Sequence, residues 1–166
     1  MKTNLQKLTQ LGLLTAASLM LYIFESLLPM PFPIPGIKLG LANLVTLIAL
    51  KRFSKRDTLL MLLCRILLSC FFFSQAIGFL YSLAGGLLCL LVMSSIDLLL
   101  RGKALPVTSI FGALSHNLAQ LTVAFFMTSV PGVFVYLPFL MISGILTGLF
   151  IGLCAHFSLK YLPKAG

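Results

Sequence analysis

Long apolar runs, interrupted by charges, prolines and glycines, fill the chain from Leu8 to Leu159. A helix that crosses a bilayer needs about 20 apolar residues, and cutting the chain at its interruptions gives six such stretches. The first runs from about Leu8 to Leu28 and stops at Pro29, and the second, from about Ile37 to Leu50, is closed by Lys51-Arg52. The third covers about Thr58 to Phe73 and the fourth about Gly78 to Leu100. After Arg101-Gly102-Lys103 the fifth extends from about Val107 to Val130, and beyond the Pro131-Gly132 turn the sixth occupies Phe134 to Leu159. The pattern predicts an all-α polytopic membrane protein, one six-helix transmembrane domain over residues 1–166. The second and third spans are short enough to be tilted or re-entrant.

The positive charges test this division. Lys2, Lys7, Lys51, Arg52, Lys55, Arg56, Arg101, Lys103, Lys160 and Lys164, ten of the twelve basic residues, fall on one side of the six spans. Cytoplasmic loops carry the positive excess, so both termini are expected in the cytoplasm and the chain in the cell (inner or cytoplasmic) membrane. The apolar stretch behind Lys2 and Lys7 continues past Ala16 and Ala17 to Leu28, longer than the core of a cleavable signal, so the first helix is expected to stay.

Composition agrees. Apolar residues make up 60% of the 166 and charged residues 9%, against roughly 45–50% and 25% in soluble domains. The net charge of +9 is not laid out as a basic stripe interleaved with aromatics, which excludes nucleic acid as the partner. Cys64, Cys70, Cys89 and Cys154 sit in apolar runs without metal-ligand spacing and read as small buried hydrophobes.

Polar side chains inside a span are costly and face the bundle interior. Counted along the first helix, Glu25 lies about 25 Å from its cytoplasmic end. Lys38 and Asn43 begin the second span, Gln75 ends the third, and Gln120 lies in the outer half of the fifth. The unusual polar groups therefore gather in the external half, where Glu25 and Lys38 serve either a ligand or an interfacial ion pair. In the fifth span, His116, Asn117 and Gln120 are expected to project together from one helix face, as a substrate contact or proton relay, or as a network holding the bundle. Arg65 is expected to snorkel to the cytoplasmic surface, and Asp97 to pair with Arg101 there.

Small residues mark Gly144, Gly148 and Gly152 on the sixth helix, expected to pack inside the monomer, and Gly12 and Ala16 on the first, available to a partner protein. Between the first two spans, Pro29, Pro31, Pro33 and Pro35 alternate with apolar residues and predict a stiff, extended rim.

Self-contained catalysis is not expected. The three acids, Glu25, Asp57 and Asp97, are isolated in sequence, no paired-aspartate diphosphate motif or P-loop is present, and no set of residues suggests a cofactor or a metal.

The run PFPIPGIKLGLANLVTLIALKRFSKRD, from Pro31 to Asp57, with GALSHNLAQL from Gly112 to Leu121, resembles the Gx transporter family, also labelled heptaprenyl diphosphate synthase component I. The layout is also similar to that of the S components of energy-coupling factor (ECF) transporters. This second resemblance implies a substrate-binding subunit for uptake of a small molecule (a vitamin, a cofactor or an isoprenoid or quinone precursor), with an outward-opening pocket drawing on Glu25, Lys38, Asn43, Gln75, His116, Asn117 and Gln120. It implies that Gly12 and Ala16 contact a transmembrane coupling subunit and that separate cytoplasmic ATPases drive reorientation. The family's other label implies an alternative, a membrane accessory of a soluble prenyl diphosphate synthase subunit, acting through Lys51 to Arg56. A third possibility is a subunit of a quinone- or flavin-linked redox system, although no haem-ligating histidine pair is present. Contact of the basic loops with anionic lipid is compatible with each.

Overall fold

The computed structural model describes residues 2–27, 40–73 and 76–161. Within them the chain forms six helices: α1 (Lys2–Leu27), α2 (Asn43–Arg52), α3 (Lys55–Phe73), α4 (Ala76–Leu99), α5 (Leu105–Thr128) and α6 (Leu137–Tyr161), the last preceded by a 3-10 segment at Pro131–Tyr136. The Pro29–Pro35 rim, Lys38 and Gln75 lie outside the described residues.

Four helices are long and apolar enough to cross a membrane: Leu5–Leu27, Ile77–Leu99, Leu105–Thr128 and the continuous stretch Pro131–Tyr161. Large apolar side chains such as Met20, Phe71, Leu91, Phe126 and Phe150 stand exposed on α1 and on α3 to α6. A water-soluble protein does not carry an apolar surface on this scale, and the molecule is a membrane protein.

The six expected helices are present among the described residues, but the expected six spans are met only in part. The expected second span shrinks to the ten residues of α2, about 15 Å at the helical rise and too short to cross. It is apolar for another reason: α1, α3, α4 and α6 all pack against it, and Val45, Leu47, Ile48 and Ala49 are buried among them. The 19-residue α3 carries Lys55, Arg56, Asp57 and Arg65 and falls outside the four strongly apolar helices. The sixth helix starts later than expected, because Pro131 to Tyr136 take the tighter 3-10 turn.

The glycines of α6 close the bundle on α5. A methyl group on Gly148 would stand 2.6 Å from the Ile110 Cα and 3.0 Å from the Ser109 carbonyl oxygen, and one on Gly152 would meet the Pro106 Cα. Backbone so near leaves room for hydrogen only, and the expectation that this face packs inside the monomer holds. Gly12 has open space around it, and Gly12 and Ala16 are both exposed on α1.

Charged groups gather at one end of the bundle. Lys7 on α1 reaches Asp57 on α3 at 2.8 Å, and Lys51 on α2 pairs with Asp97 on α4 at 3.0 Å. The expected Asp97–Arg101 pair does not form among the described residues, because Arg101 leaves the helix in a left-handed turn (φ 50°) and Lys51 takes the carboxylate. Ser54 and Asp57 cap α3 reciprocally: the Asp57 N–H donates to Ser54 Oγ at 3.2 Å, and the Ser54 N–H donates to Asp57 Oδ2 at 3.3 Å. The Lys7 ammonium, then the Ser54 hydroxyl, hold the Asp57 carboxyl below its usual pKa. A depressed carboxylate stabilises the fold above its unfolded value, near 3.8, and this contribution is lost as pH falls through the folded value. Asp57→Asn is therefore expected to lower the plateau near neutrality and flatten the acid limb of a stability-versus-pH curve, with variant and wild type converging at low pH. An unchanged acid limb in the variant would rule this linkage out.

Candidate functional site

At the other end of α1, five helices converge on one polar cavity. Its walls are Tyr22 and Glu25 from α1, Gly40, Ala42 and Asn43 at the start of α2, Arg65 from α3, Ser82 from α4, and His116 and Gln120 from α5. The cavity measures about 10 Å³, close to the smallest space that holds one water.

Glu25, only 1% exposed, fixes one wall. Its Oε1 accepts the Gly40 N–H at 2.6 Å and its Oε2 the Leu41 N–H at 3.1 Å. These donors lie just ahead of α2, whose N-cap residue Ala42 has no side chain able to cap. The carboxylate from α1 thus satisfies backbone groups that no residue of α2 could, and Ser18 Oγ adds a longer bond of 3.4 Å to the Ala42 carbonyl. Gly40 holds φ +85°, open to glycine at little cost, and a methyl group there would press on Asn43 Nδ2 at 2.8 Å and on the His116 ring.

Arg65 departs from expectation. It is 3% exposed, and instead of snorkelling it lays its guanidinium 5.6 Å from the centre of the Tyr22 ring. The ring face attracts the cation, but a face gives Nε no in-plane acceptor, and Nε is without a hydrogen-bond partner among the described residues. Asn43 Nδ2 and His116 Nδ1 are likewise buried and unpartnered. The His116 ring is admitted by Gly85 on α4, where a methyl group would come within 2.6 Å of its Nδ1.

Of the residues expected to form a site, Glu25, Asn43, His116 and Gln120 come together here. Asn117 does not join them. One residue further round α5, it faces α6, and its Nδ2 donates to the Leu140 carbonyl at 2.7 Å. Residues 116 and 120 are separated by slightly more than one helical turn and share a face, whereas 117 is rotated by about 100° from 116. Sequence reading missed Tyr22, Arg65 and Ser82. The available signal was Arg65 itself, a charge ten residues into an apolar helix with no acidic residue at i±3 or i±4.

The arrangement is a set of hydrogen-bond donors and one fixed cation, with a carboxylate engaged by backbone amides. Such a site can bind and orient a polar group, and no cluster of three or more histidines, cysteines, aspartates or glutamates stands at metal-binding distance among the described residues. Comparison with curated proteins and with solved structures gives no match. The family model described as heptaprenyl diphosphate synthase component I matches residues 14–158, a range that includes every residue lining the cavity, and the chain belongs to that family.

Proposed function

We propose that the chain is the substrate-binding membrane subunit of a small-molecule uptake transporter of the energy-coupling factor type. The observation that carries this reading is the cavity itself: two of the buried side chains that line it, Asn43 and Arg65, carry polar atoms without partners among the described residues. Buried polar groups are nearly always paired, so a cluster of unpaired ones at a cavity favours a ligand over a purely structural network. With the charged end of Lys7, Lys51, Asp57 and Asp97 facing the cytoplasm of the cell membrane, the cavity opens outward. Lys38 and Gln75, outside the described residues, are further ligand contacts in this reading, and Asn117 acts by seating α6. Exposed Gly12 and Ala16 offer α1 to a coupling subunit, and ATP hydrolysis on cytoplasmic partners drives the cycle.

The family description favours a second reading, in which the chain is the non-catalytic membrane component of a prenyl diphosphate synthase. The exposed Lys55, Arg56, Arg101 and Lys103 then supply the surface for a soluble synthase subunit.

Native mass spectrometry of the protein in mild detergent separates the two. A bound small molecule that is lost in Asn43→Ala supports the transporter subunit. A ligand-free chain that instead raises the activity of an added synthase subunit, and ceases to do so in Lys55→Glu/Arg56→Glu, transfers the function to the accessory role.

A further inference from the structure

We propose that the group recognised in the cavity is an oxyanion, a carboxylate or a phosphate carried by the ligand, received by Arg65 together with Asn43. The proposal rests on the reading of the chain as a ligand-binding subunit and states what chemistry that ligand must bring.

Arg65 carries its charge at neutral pH, and its guanidinium presents donors in a fork suited to carboxylate and phosphate oxygens. Tyr22 meets the charge from above the plane and leaves Nε unused. Asn43 Nδ2, also a donor only, is unpartnered at 4% exposure on the same cavity. The carboxylate already in the wall, Glu25, has both oxygens engaged by the Gly40 and Leu41 amides. Among the described residues, neither Arg65 Nε nor Asn43 Nδ2 meets an acceptor. A neutral carbonyl would satisfy the hydrogen bonds without adding to the charge compensation that Glu25 gives the guanidinium, and a cationic group would meet Arg65 as a repulsion. His116, whose neutral imidazole donates from one nitrogen and accepts at the other, adapts to the anion's protonation. A cavity of about 10 Å³ has room for about one water, so the walls must part for an oxyanion to enter, and the rest of the ligand stays outside.

The test uses the full chain in mild detergent, with thermal unfolding followed in sodium acetate, sodium phosphate and sodium chloride at matched ionic strength. Wild type is expected to show a saturable rise in midpoint with one oxyanion over chloride, phosphate or acetate according to the group recognised. Arg65→Lys should retain part of the rise and Arg65→Gln none. Asn43→Asp places a carboxylate on the cavity and should exclude the anion, and it carries the test if Arg65→Gln does not fold. Equal responses in wild type and Arg65→Gln, a full response in Asn43→Asp, or no oxyanion exceeding chloride would each overturn the proposal. A neutral or cationic molecule found bound by native mass spectrometry, with no oxyanion response, overturns the anion and leaves the ligand-binding reading standing. Absence of both a bound molecule and a response removes both.

Discussion

Glu25→Ala is expected to destabilise the protein by about 3–5 kcal/mol, the cost of removing one member of a buried charged set. Two effects add. The Gly40 and Leu41 N–H groups lose their acceptors, and an unsatisfied buried donor costs about 1–3 kcal/mol. Arg65, buried nearby with Glu25 contributing to its electrostatic surroundings, loses a compensating negative charge. Glu25→Gln keeps an acceptor for one of the amides and should fall between the variant and wild type. Denaturant unfolding in detergent gives the measurement, and a Glu25→Ala value within about 0.5 kcal/mol of wild type, the range of an ordinary surface change, would mean that the carboxylate does not tether α2.

The second large effect lies at the α5–α6 contact. Gly148→Leu forces a side chain against the Ile110 Cα and the Ser109 carbonyl, neither of which can rotate away, and overpacking of this kind costs about 1–3 kcal/mol or more. Gly12→Leu is the control, since nothing lies within 4 Å of a methyl group there, and its stability should match wild type within about 0.5 kcal/mol. The same control bears on function: if α1 docks on a coupling subunit, Gly12→Leu should lose co-purification with that subunit while the isolated chain stays folded. Normal assembly would exclude this face of α1 as the contact.

The membrane class and the long helices α1, α4, α5 and α6 were legible because a bilayer demands a run of apolar residues of known length. That criterion failed for α2, where every exposed position expected of a lipid-facing helix is missing. A helix surrounded by protein is as apolar as one surrounded by lipid, and only the packing of α1, α3, α4 and α6 around Leu47 and Ala49 distinguishes them. Half of the cavity was legible as well. Glu25, Asn43, His116 and Gln120 stand out as polar residues in apolar runs, but a three- or four-residue spacing could not say whether Asn117 shares the face of His116. Arg65 was misjudged because a long side chain near the middle of a helix can reach toward the surface or stay inside, and it lies inside against Tyr22, forty-three positions away in sequence. Gly85 carried no signal at all until the ring of His116 was seen against it.

If the cavity binds a ligand, the tether between Glu25 and the start of α2 limits how its selectivity could change. A helix that begins within the bundle leaves its leading amides where lipid offers no acceptor, so the chain needs an acceptor there whether or not anything is bound. Glu25 and Gly40 are thus committed to holding the backbone, and altering them alters the fold. Asn43 and Ser82 carry no comparable backbone duty among the contacts described. Redesign of selectivity has those positions and Arg65 to work with, on a frame that Glu25 and Gly40 hold in place.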